Sequence, residues 1–139
     1  MSKHYKVEKL LDEGSFSKAY LCKEEGNETL YVIKQIIVVG MSKKEIDDVL
    51  KEAIILQKLE HPNIIKLYDL FEVKLPKHGL NLVIEYADDG NLSEKIKSQN
   101  NKPFTESEIL DYFTQICLAL KYIHYKKIIH RNLESRNIF

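Results

Sequence analysis

The sequence predicts an α+β fold built on an antiparallel sheet. Three observations carry that expectation. Strand-length runs of β-branched and apolar residues fill the first third of the chain. The pattern then changes to helical spacing at Ile46, Val49, Leu50, Ala53 and Ile54, and back to strand-like runs at 64–73 and 80–86. Short connections join these pieces and favour antiparallel neighbours.

Residues 5–11 form the first expected strand and end in Asp-Glu-Gly. Residues 18–23 form the second, closed by the turn signal Gly26-Asn27. Residues 29–39 read as a mostly buried strand with one conspicuous charge at Lys34. Ser42 with Glu45 three positions later is a capping box that opens a helix over 43–59. His61-Pro62-Asn63 stops it, because the residue before proline avoids the helical region. Strands are expected at 64–73 and 80–86, joined by a loop over 74–79 that carries Pro76 and Gly79. Asn91 and Glu94 cap a short helix running to Lys97, and 98–103 is polar linker. Thr105 and Glu108 form another capping box. The helix after it carries Ile109, Phe113, Ile116, Cys117 and Leu120 on one face and reaches Tyr125. A short strand at 128–129 precedes His130-Arg131-Asn132. A long amphipathic helix needs a partner surface. Little sequence follows Tyr125 to supply one, so an incomplete chain or a second protein covering that face is expected.

The chain has 139 residues, which suits one domain. Basic and acidic residues number 21 each, so no global field attracts nucleic acid or an anionic membrane, and neither is expected as a partner. The start MSKHYKVEKL lacks an apolar leader, and uncharged apolar runs such as 36–39 are far below the ~20 residues of a membrane span. Cys22 and Cys117 show neither metal spacing nor a disulfide framework; they read as core or near-core thiols in a reducing, cytoplasmic or nuclear compartment. Five cations follow position 120 against the single anion Glu134, which suits either a solvated helix end or the handling of an anion.

Three groups of residues can carry chemistry. Gly14 lies between two expected strands, where a hairpin can lay backbone N–H groups over phosphates; taken alone it is also an ordinary turn. Lys34 on an apolar strand needs an anion, and Glu52 on the following helix is the candidate. The alternative is an edge lysine facing water. His130-Arg131-Asn132 with Asn137 follows a helix, where a catalytic loop or a plain basic loop could sit.

The ordered set Gly14, Val32-Ile33-Lys34, Glu52, His61-Pro62-Asn63-Ile64, Glu85-Tyr86-Ala87 and His130-Arg131-x-Leu133-x3-Asn137 resembles a eukaryotic protein kinase domain. The wording at 82–87, 102–106 and 128–131 is similar to the NIMA-related serine/threonine kinases. The resemblance implies a five-stranded small lobe with one packed helix over 1–87, hinge included, and the start of a helical lobe over 88–139. It implies ATP with Mg2+ as the ligand. Leu11, Gly14, Ser15, Ser17 and Ala19 would cover the nucleotide. Lys34 would hold the phosphates and pair with Glu52. Ile84 would be the gatekeeper, and Glu85 to Ala87 the hinge that bonds adenine. Leu56 and Leu67 would stack in the spine that aligns the lobes. Asn137 would ligate magnesium.

Four departures from that pattern bear on function. In the glycine loop only Gly14 remains; Asp12 and Ser17 stand where glycines are expected, and a carboxylate near phosphates repels them. Asn132 stands at the position of the usual aspartate base, and an amide cannot take a proton. Glu134 stands at the position of the usual lysine, an anion where the transition state wants a cation. The sequence ends before a D-F-G motif, so reversion of Asn132 and Glu134 together is expected to leave it inactive. Three readings follow. The chain is part of a NIMA-like serine/threonine kinase that does not transfer phosphate by itself, or a pseudokinase-type protein-binding module, or a non-functional truncated product.

Overall fold

The structure is a computed structural model that describes residues 4–73 and 79–139. The expected loop over 74–79 therefore lies mostly outside the described residues. Two compact units are present: residues up to 60 with 65–86, and residues 61–64 with 87–139.

The first unit is a five-stranded antiparallel sheet in the order β1-β2-β3-β5-β4. Its strands are β1 (Tyr5–Glu13), β2 (Ser17–Glu24), β3 (Leu30–Ile37), β4 (Leu67–Val73) and β5 (Gly79–Glu85), with helix α1 (Lys43–Gln57) between β3 and β4. This is the expected five-stranded sheet with one packed helix. β5 lies inside the sheet between β3 and β4 and is buried from Gly79 to Val83, so its sequence has little polar alternation. β1 is an edge strand, half-buried at Tyr5 and exposed beyond it. Its charged side chains discourage pairing with another sheet.

Each face of the sheet has its own core. On one face Val38, Ala53, Leu67, Leu80 and Leu82 are buried, with Ile46, Val49, Leu50 and Leu56 of α1 packed against them. On the other face Cys22, Tyr31, Ile33 and Val83 pack with Tyr5 and Phe71. Tyr5 stacks on Phe71 with ring centres 6.4 Å apart and meets Tyr31 edge-on at 5.9 Å. Burial, followed by the Asp69 carboxylate, pushes the Tyr5 phenol up to about 12. Burial also pushes the Cys22 thiol up to about 11, which makes it an inert packing group.

Gly79 begins β5 against β3. A Cβ there would lie 2.7 Å from the Ile36 carbonyl oxygen, a backbone atom that can move only with its strand. Gly79→Ala should therefore lower stability by about 1–3 kcal/mol, the usual range for overpacking. Gly14→Ala should be nearly silent, since its Cβ would meet nothing closer than 3.6 Å. Urea midpoints of the two variants check this. Equal midpoints would show that the β3–β5 junction is more yielding than its geometry says.

The second unit holds α2 (Leu92–Ser98), α3 (Glu106–Tyr125) and a 3-10 turn at Ser135–Asn137. All three expected caps form. In each of α1, α2 and α3 the cap side chain (Ser42, Asn91 and Thr105) accepts from the N3 backbone, and the N3 glutamate accepts from the cap backbone. These bonds hold the Glu45 carboxyl below its ordinary range, chiefly through the Ser42 hydroxyl. Glu108 is likewise held low, chiefly by the Thr105 backbone N–H.

Some boundaries differ from expectation. β4 starts at Leu67, not at 64, because the His-Pro-Asn segment makes a turn of its own. The Ile64 N–H donates to the His61 carbonyl at 3.1 Å, and the Asn63 N–H to His61 Nδ1 at 3.1 Å. The strand expected at 128–129 is absent. Instead the Ile128 N–H donates to the Ile123 carbonyl and the Lys127 N–H to that of His124, both at 2.9 Å. These paired bonds are a Schellman close of α3. Lys127 takes the left-handed position at φ 63°, where glycine is usual. Cys117 is exposed, as are Ile109 and Phe113, so much of the apolar face expected on α3 is open in the described chain.

Candidate functional site

The strand registers place the first group of site residues. Lys34 of β3 is the cross-strand partner of Ala19 on β2 and of Leu82 on β5. Paired residues share a face. Leu82 belongs to the core packed by α1, so Lys34 projects from the α1 side of the sheet. The Lys34 side chain is exposed. Its expected ion pair with Glu52 does not form: neither residue is in any ion pair among the described residues. The reason lies in the roll of α1. Ala53 is turned onto the sheet and is 2% exposed, which leaves Glu52 on the helix flank in solvent. Lys34 thus has no carboxylate partner among the described residues.

Gly14 lies in the β1–β2 hairpin. Its N–H donates to the Ser17 carbonyl at 2.8 Å, and Glu13 and Lys18 pair across the hairpin at 2.6 Å. The Phe16 carbonyl accepts from the Ile37 N–H at 2.9 Å, which ties the hairpin to β3. Leu11, Asp12 and Ser15 are exposed, and Ser17 and Ala19 half-buried. Gly14 does not have a positive φ. Its local backbone therefore does not demand glycine, and any requirement for it would come from a ligand's approach.

Ile84 pairs with Val32 and with Leu67 and packs against the α1-side core. Leu56 packs on the same core as buried Leu67. Glu85 is anchored twice to one residue. Its N–H donates to the Lys66 carbonyl at 2.9 Å, and its carboxylate accepts from the Lys66 N–H at 3.1 Å. Ala87 opens the second unit and is half-buried.

In the second unit, the turn at 61–64 is fastened to α3. Asn63 Nδ2 donates to Gln115 Oε1 at 2.9 Å, and the His61 ring lies 5.1 Å from that of Tyr122. After α3, Arg131 adopts φ 65°, and the Asn132 N–H donates to the His130 carbonyl at 2.9 Å. This is a tight three-residue turn in a backbone region costly for a non-glycine residue. Asn137 Nδ2 donates to the Asn132 carbonyl at 3.0 Å and to Glu134 Oε1 at 3.3 Å. The amide nitrogen is thus occupied, and Oδ1 is left as a hard oxygen donor of the kind magnesium takes. Glu134 also accepts from Arg136 Nη2 at 3.1 Å. Sequence reasoning missed this role of Arg136. Its only signal was the opposite charge two residues from Glu134.

Comparison with known proteins fits this geometry. The sequence matches the family described as "Protein kinase domain" over residues 5–139. It is 41% identical over 139 residues to the serine/threonine-protein kinase Nek1 of Mus musculus, covering all of this chain and 11% of that protein. It is 40% identical over 136 residues to Nek5 of Homo sapiens, covering 97% of this chain and 19% of the relative. The probable serine/threonine-protein kinase nek3 of Dictyostelium discoideum is 41% identical over 137 residues, 97% of this chain and 12% of its own length. The chain thus spans between a tenth and a fifth of these relatives. With a match that runs from the first strand to the last residue, the chain belongs to the protein kinase domain family, among relatives that are NIMA-related kinases.

Proposed function

We propose that this chain is the nucleotide-binding part of a NIMA-type serine/threonine kinase domain, and that it binds Mg-ATP without transferring phosphate by itself. Residues 1–87 serve as small lobe and hinge, and 88–139 as the start of the helical lobe. The observation that carries the binding reading is Lys34, a charge on the α1 side of the sheet with no carboxylate partner among the described residues. A buried strand register fixes its position, and its amine is free to meet phosphate. The Gly14 hairpin with Leu11, Ser15, Ser17 and Ala19 would lie over the nucleotide. Glu85 and Ala87 would meet the adenine with their backbone groups beside Ile84. Asn137 would offer Oδ1 to magnesium, whose chemistry is to neutralise phosphate charge. Glu52, in solvent on α1, would meet Lys34 only after a change in the roll of that helix.

Asn132 supports the second half of the reading, because it cannot accept the proton of a substrate hydroxyl. A pseudokinase-type protein-binding role is the second reading. It is favoured by the same amide and by the open apolar face of α3, where Ile109 and Leu110 are each 53% and Phe113 63% exposed. An intracellular setting, cytoplasmic or nuclear, belongs to both readings and is supported by two free cysteines.

The test is thermal. Mg-ATP at a hundredfold excess over its Kd should stabilise the chain by about 2.7 kcal/mol. Lys34→Ala should cut the rise in Tm by about half, as a tenfold weaker Kd would. An equal rise in both proteins would remove Lys34 from the site. No rise in either would favour the protein-binding reading.

A further inference from the structure

The sheet registers bring a second charge into line with Lys34. Asp12 of β1 is the cross-strand partner of Ala19, and Ala19 is the partner of Lys34. The row continues through Leu82 to Leu70, both in the α1-side core. Asp12, Ala19 and Lys34 therefore share one face, with a small alanine between the two charges. β1 and β3 are two strand spacings apart, about 10 Å. The side chains of aspartate and lysine both reach into that gap. Any phosphate that contacts the Lys34 amine also feels the Asp12 carboxylate.

The neighbouring charges do not cancel Asp12. Glu13 is already matched by Lys18 at 2.6 Å. Asp12 is exposed, and its side chain enters no ion pair or hydrogen bond among the described residues. The irregularity between Leu10 and Asp12 sets its register: the two are partners of the adjacent residues Tyr20 and Ala19, so Leu11 is an extra residue on β1. Without that bulge, alternation would carry Asp12 to a different row. The phosphate-facing row thus carries one anion and one cation, a sum of zero where phosphate binding calls for positive charge.

We propose that Asp12 sets the ligand preference of this nucleotide face against phosphate charge, so that a nucleoside triphosphate binds no more tightly than the bare nucleoside. This deepens the nucleotide reading above and rests on it. The adenine and ribose contacts would supply the affinity. Each added phosphate would gain at Lys34 and lose at Asp12 by similar amounts, because like and unlike charges at comparable distance act with comparable strength.

The experiment is calorimetric titration of the whole chain with adenosine and with Mg-ATP. It compares the unaltered protein with Asp12→Asn and Asp12→Gly. In the unaltered protein the two ligands should agree in Kd within about threefold. Asp12→Asn keeps the shape and removes the charge. It should tighten Mg-ATP about tenfold and leave adenosine within about twofold, and added salt should narrow the Mg-ATP difference. Asp12→Gly should do the same. Adenosine binding with an unchanged ligand ratio in Asp12→Asn would overturn the proposal and leave the nucleotide reading standing. Tighter Mg-ATP in Asp12→Gly alone would also overturn it, since shape and not charge would then be the cause. No adenosine binding in any of the three proteins would overturn the nucleotide reading itself, and the proposal with it.

Discussion

Incubated with Mg-ATP and a generic serine- and threonine-rich protein, the chain should incorporate no more phosphate than its Lys34→Ala variant. The argument begins at Asn132. The turn at Arg131 and the bond from Asn137 Nδ2 to its carbonyl at 3.0 Å hold its backbone, and in the function proposed above it stands in place of a base. On the proposed reading the loop keeps its shape and lacks a proton acceptor. Loss of a positioned general base lowers a rate by about 10²–10⁴ on its own. Glu134 adds an anion nearby, although Arg136 and Asn137 both donate to it and meet part of its charge. Its effect on a transferring phosphoryl group is thus smaller than its sequence position implies. Phosphate counting with labelled ATP is the measurement. Incorporation well above the Lys34→Ala background, and lost again in Asn132→Ala, would show that the amide does more than hold shape.

The caps, the strand β3 and the order of elements were legible in the sequence because each depends on local chemistry. Ser42 and Glu45 find each other three residues apart whatever the rest of the chain does. The run from Leu30 to Ile37 is mostly apolar because Tyr31, Val32 and Ile33 are buried, with Lys34 the one exposed position. β1 was read too short because it is an exposed edge, where charged residues hide the alternation. Irregularities between Val7 and Lys9 and between Leu10 and Asp12 break its register as well. The isoleucines at 128 and 129 resemble a strand, and only the left-handed backbone at Lys127 reveals a helix close. Glycine normally advertises that conformation, and lysine does not.

The site divides along the same line. Residue types at Gly14, Lys34, Asn132 and Asn137 could be picked out from spacing. Their partners could not, because partnership depends on how elements roll and pair. Lys34 and Glu52 are correctly placed on a strand and the next helix, yet the orientation of Ala53 toward the sheet turns Glu52 aside. The alignment of Asp12 with Lys34 is set by a bulge, which no periodicity marks. The bond between Asn63 and Gln115 joins residues 52 positions apart and has no local signature.

Leu67→Ala should be among the most damaging single truncations of the sheet. Leu67 is 4% exposed, starts β4 and pairs with Ile84 across to β5. It lies in the core that also holds Ala53 and Val38, so its methyl groups join α1 to the sheet. Val38 and Leu80 are fixed by strand and turn backbone, and Ala53 has no side chain to extend. Truncating a buried leucine costs about 2–5 kcal/mol, with the larger values where the site cannot collapse. For a chain of this size that amounts to a fall in Tm on the order of 10 °C. Val39→Ala is the matched control, because Val39 is 60% exposed and its loss should stay within about 0.5 kcal/mol. Urea unfolding of both variants reads the difference directly. A Leu67→Ala cost no greater than that of Val39→Ala would mean that α1 is not held to the sheet through this core, and with it would go the account of why Glu52 is turned away from Lys34.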